Sequence, residues 1–184
     1  MRIVAGRFKG TAIAAPKSQA TRPTSDRLRE TIFNILAHGL DFDLEDRRVL
    51  DLFAGTGALG FEAVSRGARH CTFIEEAADA RGVIRRNMET LGLNGVAKIF
   101  RRDATRLGQP GTIEPFDLVF ADPPYGKGLG EKALKSAADG GWLKPEAVCV
   151  LEERASVQLE IPAGFSEEDR RQAGDSQVVF LRFG

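Results

Sequence analysis

Apolar residues along this chain fall into two alternating patterns. From residue 48 onward there are short unbroken runs at 49–53, 71–74, 96–100, 116–121 and 148–151. Between them, at 58–66, 77–91, 104–107 and 129–138, apolar residues recur every three or four positions. An unbroken short run reads as a strand buried on both faces, and the wider spacing as a helix with one apolar side. Strand and helix in alternation predict an α/β fold with a doubly wound, mostly parallel sheet. The tail departs from this rhythm. Runs at 165–172 and 177–183 flank Ala173-Gly174-Asp175-Ser176, a turn signal that predicts an antiparallel C-terminal hairpin and brings the strand count to seven.

The first 40 residues follow neither pattern. Residues 2–5 and 11–14 read as two short strands bracketing Gly6 and Gly10, which predicts a small β-hairpin, and Pro16 stops the second strand. Thr24 or Ser25 then caps a helix carrying Leu28, Ile32, Phe33, Ile35 and Leu36, with Gly39 at its end. We therefore divide the chain into an N-terminal extension, residues 1–40, and a main domain, residues 41–184.

Charge sharpens that division. The chain as a whole is neutral, yet residues 1–30 carry seven basic and two acidic side chains, a net of +5, against −5 for the remainder. A basic arm on a mildly acidic body is the footprint of a phosphate-binding surface. Arg7, Lys9, Arg22, Thr24 and Arg27 are its candidate contacts. Arg22, Arg27 and Arg29 gather at the start of the helix, where the helix end already favours anions. No apolar run is long enough to span a bilayer, and Arg7 and Lys9 interrupt any leader-like segment, so a cytoplasmic protein is expected. Cys71 and Cys149 each lie inside an apolar run and read as buried hydrophobes, with no metal site implied.

Candidate chemistry sits where strands end. After the first strand comes Asp51-Leu52-Phe53-Ala54-Gly55-Thr56-Gly57-Ala58-Leu59-Gly60, whose glycines match the G-x-G-x-x-G loop of nucleoside-containing cofactors. Glu75 closes the second strand, and Asp103-Ala104 follows the third. The glycines alone do not choose between NAD and S-adenosylmethionine. The acids do. Asp51 ahead of the loop would repel a pyrophosphate but would bind an ammonium. Glu75 can take ribose hydroxyls, and Asp103 an adenine amino group, although Asp103 also suits a helix N-cap. The candidate cofactor-binding set is Asp51, Phe53, Gly55, Gly57, Glu75, Asp103 and Ala104.

After the fourth strand comes Asp122-Pro123-Pro124-Tyr125. Proline fixes its own backbone and holds the preceding residue extended. Asp122 and the Pro123 carbonyl thus stand free to accept hydrogen bonds, beside the flat face of Tyr125. This is a cradle for a planar group bearing an NH2. Asp122, Pro123 and Tyr125 are the candidate catalytic residues.

The glycine loop together with Asp122-Pro-Pro-Tyr125 resembles the class I S-adenosylmethionine-dependent methyltransferases that act on exocyclic amines. Arg22-Pro23-Thr24-Ser25-Asp26-Arg27-Leu28-Arg29-Glu30-Thr31-Ile32-Phe33-Asn34, with Arg2-Ile3-Val4-Ala5-Gly6 and Lys9-Gly10, is similar to the RsmD family of bacterial small-subunit ribosomal RNA guanine-N2 methyltransferases. The resemblance implies a Rossmann-like methyltransferase sheet, S-adenosylmethionine as methyl donor, and a guanine of 16S ribosomal RNA as acceptor. The expected partner is that RNA within the small subunit or an assembly intermediate, and nothing in the sequence suggests more than a monomer. Ala5, Thr11 and Ala12 depart from the family pattern, the last two by removing expected positive charge from the hairpin. Tyr125 replaces a phenylalanine found in some members, and either ring offers a stacking face. An NAD-dependent oxidoreductase would leave Asp51 and Asp122 idle. A non-catalytic RNA-binding module would need neither the tetrad nor an acid after each of three strands. An N-methyltransferase of a different RNA or DNA amine remains the alternative within the same chemistry.

Overall fold

The computed structural model describes residues 1–15 and 24–184. Seven strands form one sheet: β1 (Arg48–Leu52), β2 (His70–Ile74), β3 (Ala97–Phe100), β4 (Phe116–Ala121), β5 (Leu143–Arg154), β6 (Phe165–Ala173) and β7 (Ser176–Phe183). Their order is β3-β2-β1-β4-β5-β7-β6. The first five run parallel, and β7 is antiparallel to both β5 and β6. The expected α/β sheet with its antiparallel C-terminal hairpin is thus the observed one.

The parallel strands read as unbroken apolar runs because helices cover both sides. Alternate residues of one strand enter different cores. Val49, Cys71, Phe73, Leu118 and Phe120 join one cluster with Phe33, Phe61 and Ile84. Leu50, Leu52, Ile74, Val119 and Ala121 join the other with Leu134 and Trp142. The first cluster packs under α1 (Asp26–Asn34), α2 (Ala58–Ser65) and α3 (Ala78–Leu91), and the second under α4 (Leu129–Gly140). A π-helical turn over Ile35–Gly39 extends α1, and a 3-10 turn spans Ala104–Arg106.

β5 outruns its apolar segment at both ends. Beyond Leu151 it continues because Glu152, Glu153 and Arg154 pair with Val178, Gln177 and Ser176 of β7. That pairing is set by a distant segment, and local hydrophobicity does not report it.

The N-terminal hairpin is narrower than its sequence implies. Its two strands reduce to one bridge, Arg2 with Ala12. The reason is competition for the same backbone donors. The Val4 and Ala5 N–H groups donate to the two oxygens of Glu62 on α2, at 2.8 and 3.0 Å. Ser65 takes the Phe8 N–H on its hydroxyl at 3.0 Å and the Arg7 N–H on its carbonyl at 2.9 Å. Asn87 on α3 accepts from Ala14 N–H at 2.7 Å. Ile3 and Ile13 are buried in the same cluster as Val49 and Phe120. The segment is therefore a polar-clamped cover over α2 and α3.

Arg29 is a correction to the charge reading. It is fully buried, not displayed to a phosphate. Its guanidinium donates to the Thr24 carbonyl at 2.9 Å, the Arg2 carbonyl at 2.5 Å and the Asp26 carboxylate at 2.7 Å, and it pairs with buried Glu62 at 3.8 Å. A buried arginine requires such partners, since leaving its charge uncompensated is costly.

Close approach of α2 to the sheet depends on Gly60. A β-carbon there would lie 2.5 Å from both Cys71 Sγ and a Phe73 ring carbon. Gly60→Ala is predicted to lower the urea midpoint of unfolding. Overpacking costs about 1–3 kcal/mol, which exceeds the roughly 1 kcal/mol that alanine gains in helix propensity. An unchanged or raised midpoint would refute the tight contact.

Candidate functional site

Strand order reverses between β1 and β4, since β2 and β3 lie on one side of β1 and β5 on the other side of β4. At such a switch point the two connections leave in opposite directions and open a crevice at the carboxyl ends of the strands. A cavity of about 620 Å3 occupies that position. Its walls bring together Asp51, Phe53, Gly55 and Glu75 on one side with Asp122, Pro123 and Tyr125 on the other. Thr24 closes it from the extension.

The glycine loop is shaped from its ends. Phe53 leaves β1 with φ 54°, a left-handed conformation rare for an aromatic residue, and Gly55 and Gly57 follow at 59° and 80°. Strain of this kind persists where the surroundings over-determine it. Here Ala54 N–H bonds to the Ile74 carbonyl at 3.1 Å, and Gly55 N–H to Glu75 Oε1 at 2.8 Å. The other Glu75 oxygen accepts from Ala77 N–H at 2.9 Å. Glu75 thus ties the glycine loop to the start of α3 while facing the cavity. Gly57 itself does not line the cavity. A β-carbon there would come within 2.6 Å of the Phe61 ring, so glycine serves the turn and the packing of α2.

Asp51 is 2 % exposed and accepts from Gly60 N–H at 3.1 Å. Burial, and to a lesser degree the Glu75 charge, push its carboxyl well above the usual range against the pull of that hydrogen bond. Asp51, Glu75, Glu76 and Asp122 are the acids of the cavity wall, and Arg154 is its one basic residue among the described lining residues. Such a lining favours a ligand carrying positive charge and disfavours a pyrophosphate.

Asp103 and Ala104 are not brought into this wall. Asp103 caps the 3-10 turn, accepting from Thr105 N–H at 2.8 Å and the Thr105 hydroxyl at 2.7 Å, and those bonds hold its carboxyl below the usual range. Ala104 is buried in the α4-side core.

On the opposite wall the loop after β4 is braced by β5 and β7. The Tyr125 hydroxyl donates to Glu152 Oε1 at 2.7 Å and meets Ser176 Oγ at 2.9 Å. Gly126 N–H donates to Glu153 Oε1 at 3.0 Å. The hydroxyl that distinguishes Tyr125 from phenylalanine is therefore engaged. Its acidity is suppressed by burial, while the Arg154 guanidinium lies 5.9 Å from the ring centre. Asp122 accepts from the Thr24 hydroxyl at 3.0 Å. Burial first, then the adjacent Glu152 carboxyl, push Asp122 well above the usual carboxylate range, with Thr24 pulling the other way and Asp51 adding slightly.

Thr24 is thus buried within the site. Ser25 alone caps α1, accepting from Leu28 N–H at 3.1 Å. Arg7, Lys9 and Arg27 are exposed and lie outside the cavity wall. Arg22 falls outside the described residues. Sequence reasoning missed Glu152, Glu153 and Arg154. The one available signal was two consecutive acids directly after the buried run at 148–151.

Both the sequence and the fold have known relatives. The family model described as "Conserved hypothetical protein 95" matches residues 1–182. Ribosomal RNA small subunit methyltransferase D of Escherichia coli K12 is 37% identical over 181 residues, covering 98% of this chain and 87% of its own. The chain belongs to this family. The protein of the same name from Haemophilus influenzae is 34% identical over 168 residues, covering 90% of this chain and 85% of its own. Among solved structures, yhhF from Escherichia coli superimposes with a TM-score of 0.84 at 34% identity, covering 100% of this chain and 97% of that one. The Thermus thermophilus 16S rRNA N2 G1207 methyltransferase in complex with AdoMet and guanosine shares the fold, with a TM-score of 0.67 at 20% identity over 89% of this chain and 45% of that one. Family membership makes the chain an rRNA methyltransferase.

The raised Asp51 value carries a stability consequence. A carboxyl with a raised folded value stabilises the fold most while protonated, and that contribution is lost as pH rises through the raised value. Asp51→Asn keeps an acceptor for Gly60 and never ionises. It is predicted to unfold at higher denaturant than the parent at neutral pH, with the advantage fading as pH falls to about 4, the ordinary carboxylate range. A variant less stable than the parent at neutral pH would contradict the burial argument.

Proposed function

We propose that this chain transfers a methyl group from S-adenosylmethionine to the exocyclic N2 amine of a guanine in 16S ribosomal RNA. One observation carries the reading: a single cavity joins an acid-flanked glycine loop to the Asp122-Pro123-Pro124-Tyr125 cradle. The names of its family relatives supply the ribosomal RNA class. When bound, S-adenosylmethionine supplies a methyl group activated by a sulfonium. The wall suits it. Asp51 offers a buried carboxylate to the ammonium of the methionine part, and Glu75 has lone pairs left for ribose hydroxyls. No anion of the ligand needs to face these acids, as a dinucleotide pyrophosphate would. Asp103, half-buried beside its turn, is proposed to reach the adenine edge with its second oxygen.

The chain's own residues act on the amine. A guanine N2 is a weak nucleophile because its lone pair is delocalised into the ring. N–H donation to the Asp122 carboxyl and the Pro123 carbonyl turns that lone pair toward the methyl group and favours positive charge developing on nitrogen. Thr24 and the two prolines hold the acceptors still, so the acceptor geometry is in place before the base arrives. Tyr125 holds the extruded base by stacking, worth about 1–3 kcal/mol per base. The proton leaves N2 after transfer, with Asp122 as its acceptor. Arg7, Lys9, Arg22 and Arg27 are proposed to contact RNA phosphates. We place the reaction in the cytoplasm, on RNA within the small ribosomal subunit or an assembly intermediate, with the enzyme acting as a monomer.

Asp122→Ala is predicted to abolish methyl transfer to ribosomal particles from labelled S-adenosylmethionine while leaving cofactor affinity, measured by titration calorimetry, nearly unchanged. Near-normal methylation by this variant would sink the reading. Reversing charge at Arg7, Lys9, Arg22 and Arg27 together should weaken RNA binding and flatten its salt dependence. The slope of log affinity against log salt should fall by about 0.7–0.9 for every phosphate that the arm no longer neutralises. Binding that keeps its affinity and salt slope would remove the arm from the interface.

A further inference from the structure

Glu152 is the one buried acid at the site whose environment the proposed chemistry does not yet explain. It is 7 % exposed, and its neighbours fix one oxygen only. Oε1 accepts from the Tyr125 hydroxyl at 2.7 Å, and Ser176 Oγ reaches the same hydroxyl at 2.9 Å. Oε2 is buried with no hydrogen-bond donor among the described residues. A buried carboxylate oxygen left unpaired is costly, so something must satisfy it. The group positioned to do so is another carboxyl, that of Asp122, which contacts Glu152 side chain to side chain. Two carboxyls in hydrogen-bonding contact cannot both be ionised in a buried site, and one proton held between them satisfies both.

We infer that Glu152 is a positioning residue for methyl transfer, holding Asp122 through one proton shared by the two carboxyls and holding Tyr125 through its hydroxyl. This rests on the assignment of Asp122 as the acceptor of the amine. The shared proton lies between Asp122 and Glu152 Oε2, while Thr24 donates to Asp122 Oδ2 from the far side. Asp122 is thereby gripped by one donor from the extension and one from β5, and keeps lone pairs directed at the substrate. After transfer, the N–H bond of N2 breaks, its electron pair stays on nitrogen, and the proton forms an O–H bond with Asp122. The pair then carries two protons until one is lost to water. The groups facing this pair are Asp51 at the end of β1, Thr24 before α1, Tyr125 on the same loop as Asp122, Ser176 on β7, and Arg154 across the Tyr125 ring.

Full-chain variants test this. Glu152→Ala removes both holds, and kcat should fall on the order of 100-fold, the scale of misplacing a reacting group, with cofactor affinity unchanged. Glu152→Gln offers an amide that donates permanently to Asp122 and a carbonyl that accepts from Tyr125, so it should restore most of the missing kcat. It should also abolish the fall in kcat expected of the parent at high pH, where the shared proton dissociates and the two carboxylates repel. Infrared difference spectra at neutral pH supply a readout independent of turnover. In an Asp51→Asn background, which removes the protonated Asp51 carboxyl, the remaining protonated-carboxyl band should vanish on adding Glu152→Gln and equally on adding Asp122→Asn, because either amide replaces the shared proton. A band that survives both substitutions, a glutamine variant as slow as the alanine one, or a parent-like alkaline fall in the glutamine variant would each overturn the inference. Should Asp122→Ala stay active, the functional reading itself fails. Should Asp122→Ala be inactive while the band survives, only the shared proton fails.

Discussion

Backbone N–H groups bonded to buried or half-buried carboxylates hold this molecule together at its working end. Glu62 takes Val4 and Ala5, Asp51 takes Gly60, Glu75 takes Gly55 and Ala77, and Glu153 takes Gly126 and Arg154. Each acid joins two segments that the chain's order keeps apart. An N–H donating to a carboxylate is roughly twice as strong as a neutral hydrogen bond, so a few such ties fix loops that little apolar burial supports. Acids from strand ends grip the loops around the cavity, and Glu62 of α2 grips the segment beside them.

The same device sets the electrostatics. Amide donors favour the ionised form of a carboxyl, and burial disfavours it. Glu75 has two amide donors. Asp51 has one and is fully buried, and its carboxyl is pushed far up. Asp122 has a hydroxyl in place of amides and a second carboxyl beside it, and is likewise pushed up. Burial thus pushes up two acids of the one cavity wall, Asp51 and Asp122.

How much of this was legible in the sequence depends on whether the cause was local. The strands were, because helices on both faces leave no polar alternation in β1, β2 or β4. Asp51, Glu75 and Asp122 were, because ligands gather at strand ends whatever the side chains elsewhere. Asp103 shows the limit. An acid after a third strand fits a ligand or a cap equally, and Thr105, two residues on, engages one of its oxygens in a cap. The N-terminal hairpin shrank because Glu62, 58 residues from Val4, outcompeted strand pairing for its amides. Glu152 escaped notice because the length of β5 is decided by β7, and no pattern within residues 148–154 shows it.

Arg29 reveals why a small extension belongs to the catalytic unit. Its guanidinium bonds to the Arg2 carbonyl at one end of the extension and the Thr24 carbonyl at the other, while pairing with Glu62 beneath. Glu62 in turn grips Val4 and Ala5. The backbone of Thr24 is fixed by this buried ion pair, and its hydroxyl then reaches Asp122. A lysine could not replace Arg29, since only the planar fork meets two carbonyls and two carboxylates at once. The segment whose exposed arginine and lysine side chains face outward and the side chain that orients Asp122 therefore share one support. The exposed basic surface at Arg7 and Lys9 and the hydroxyl that meets Asp122 are thus tied by the same short stretch of packing.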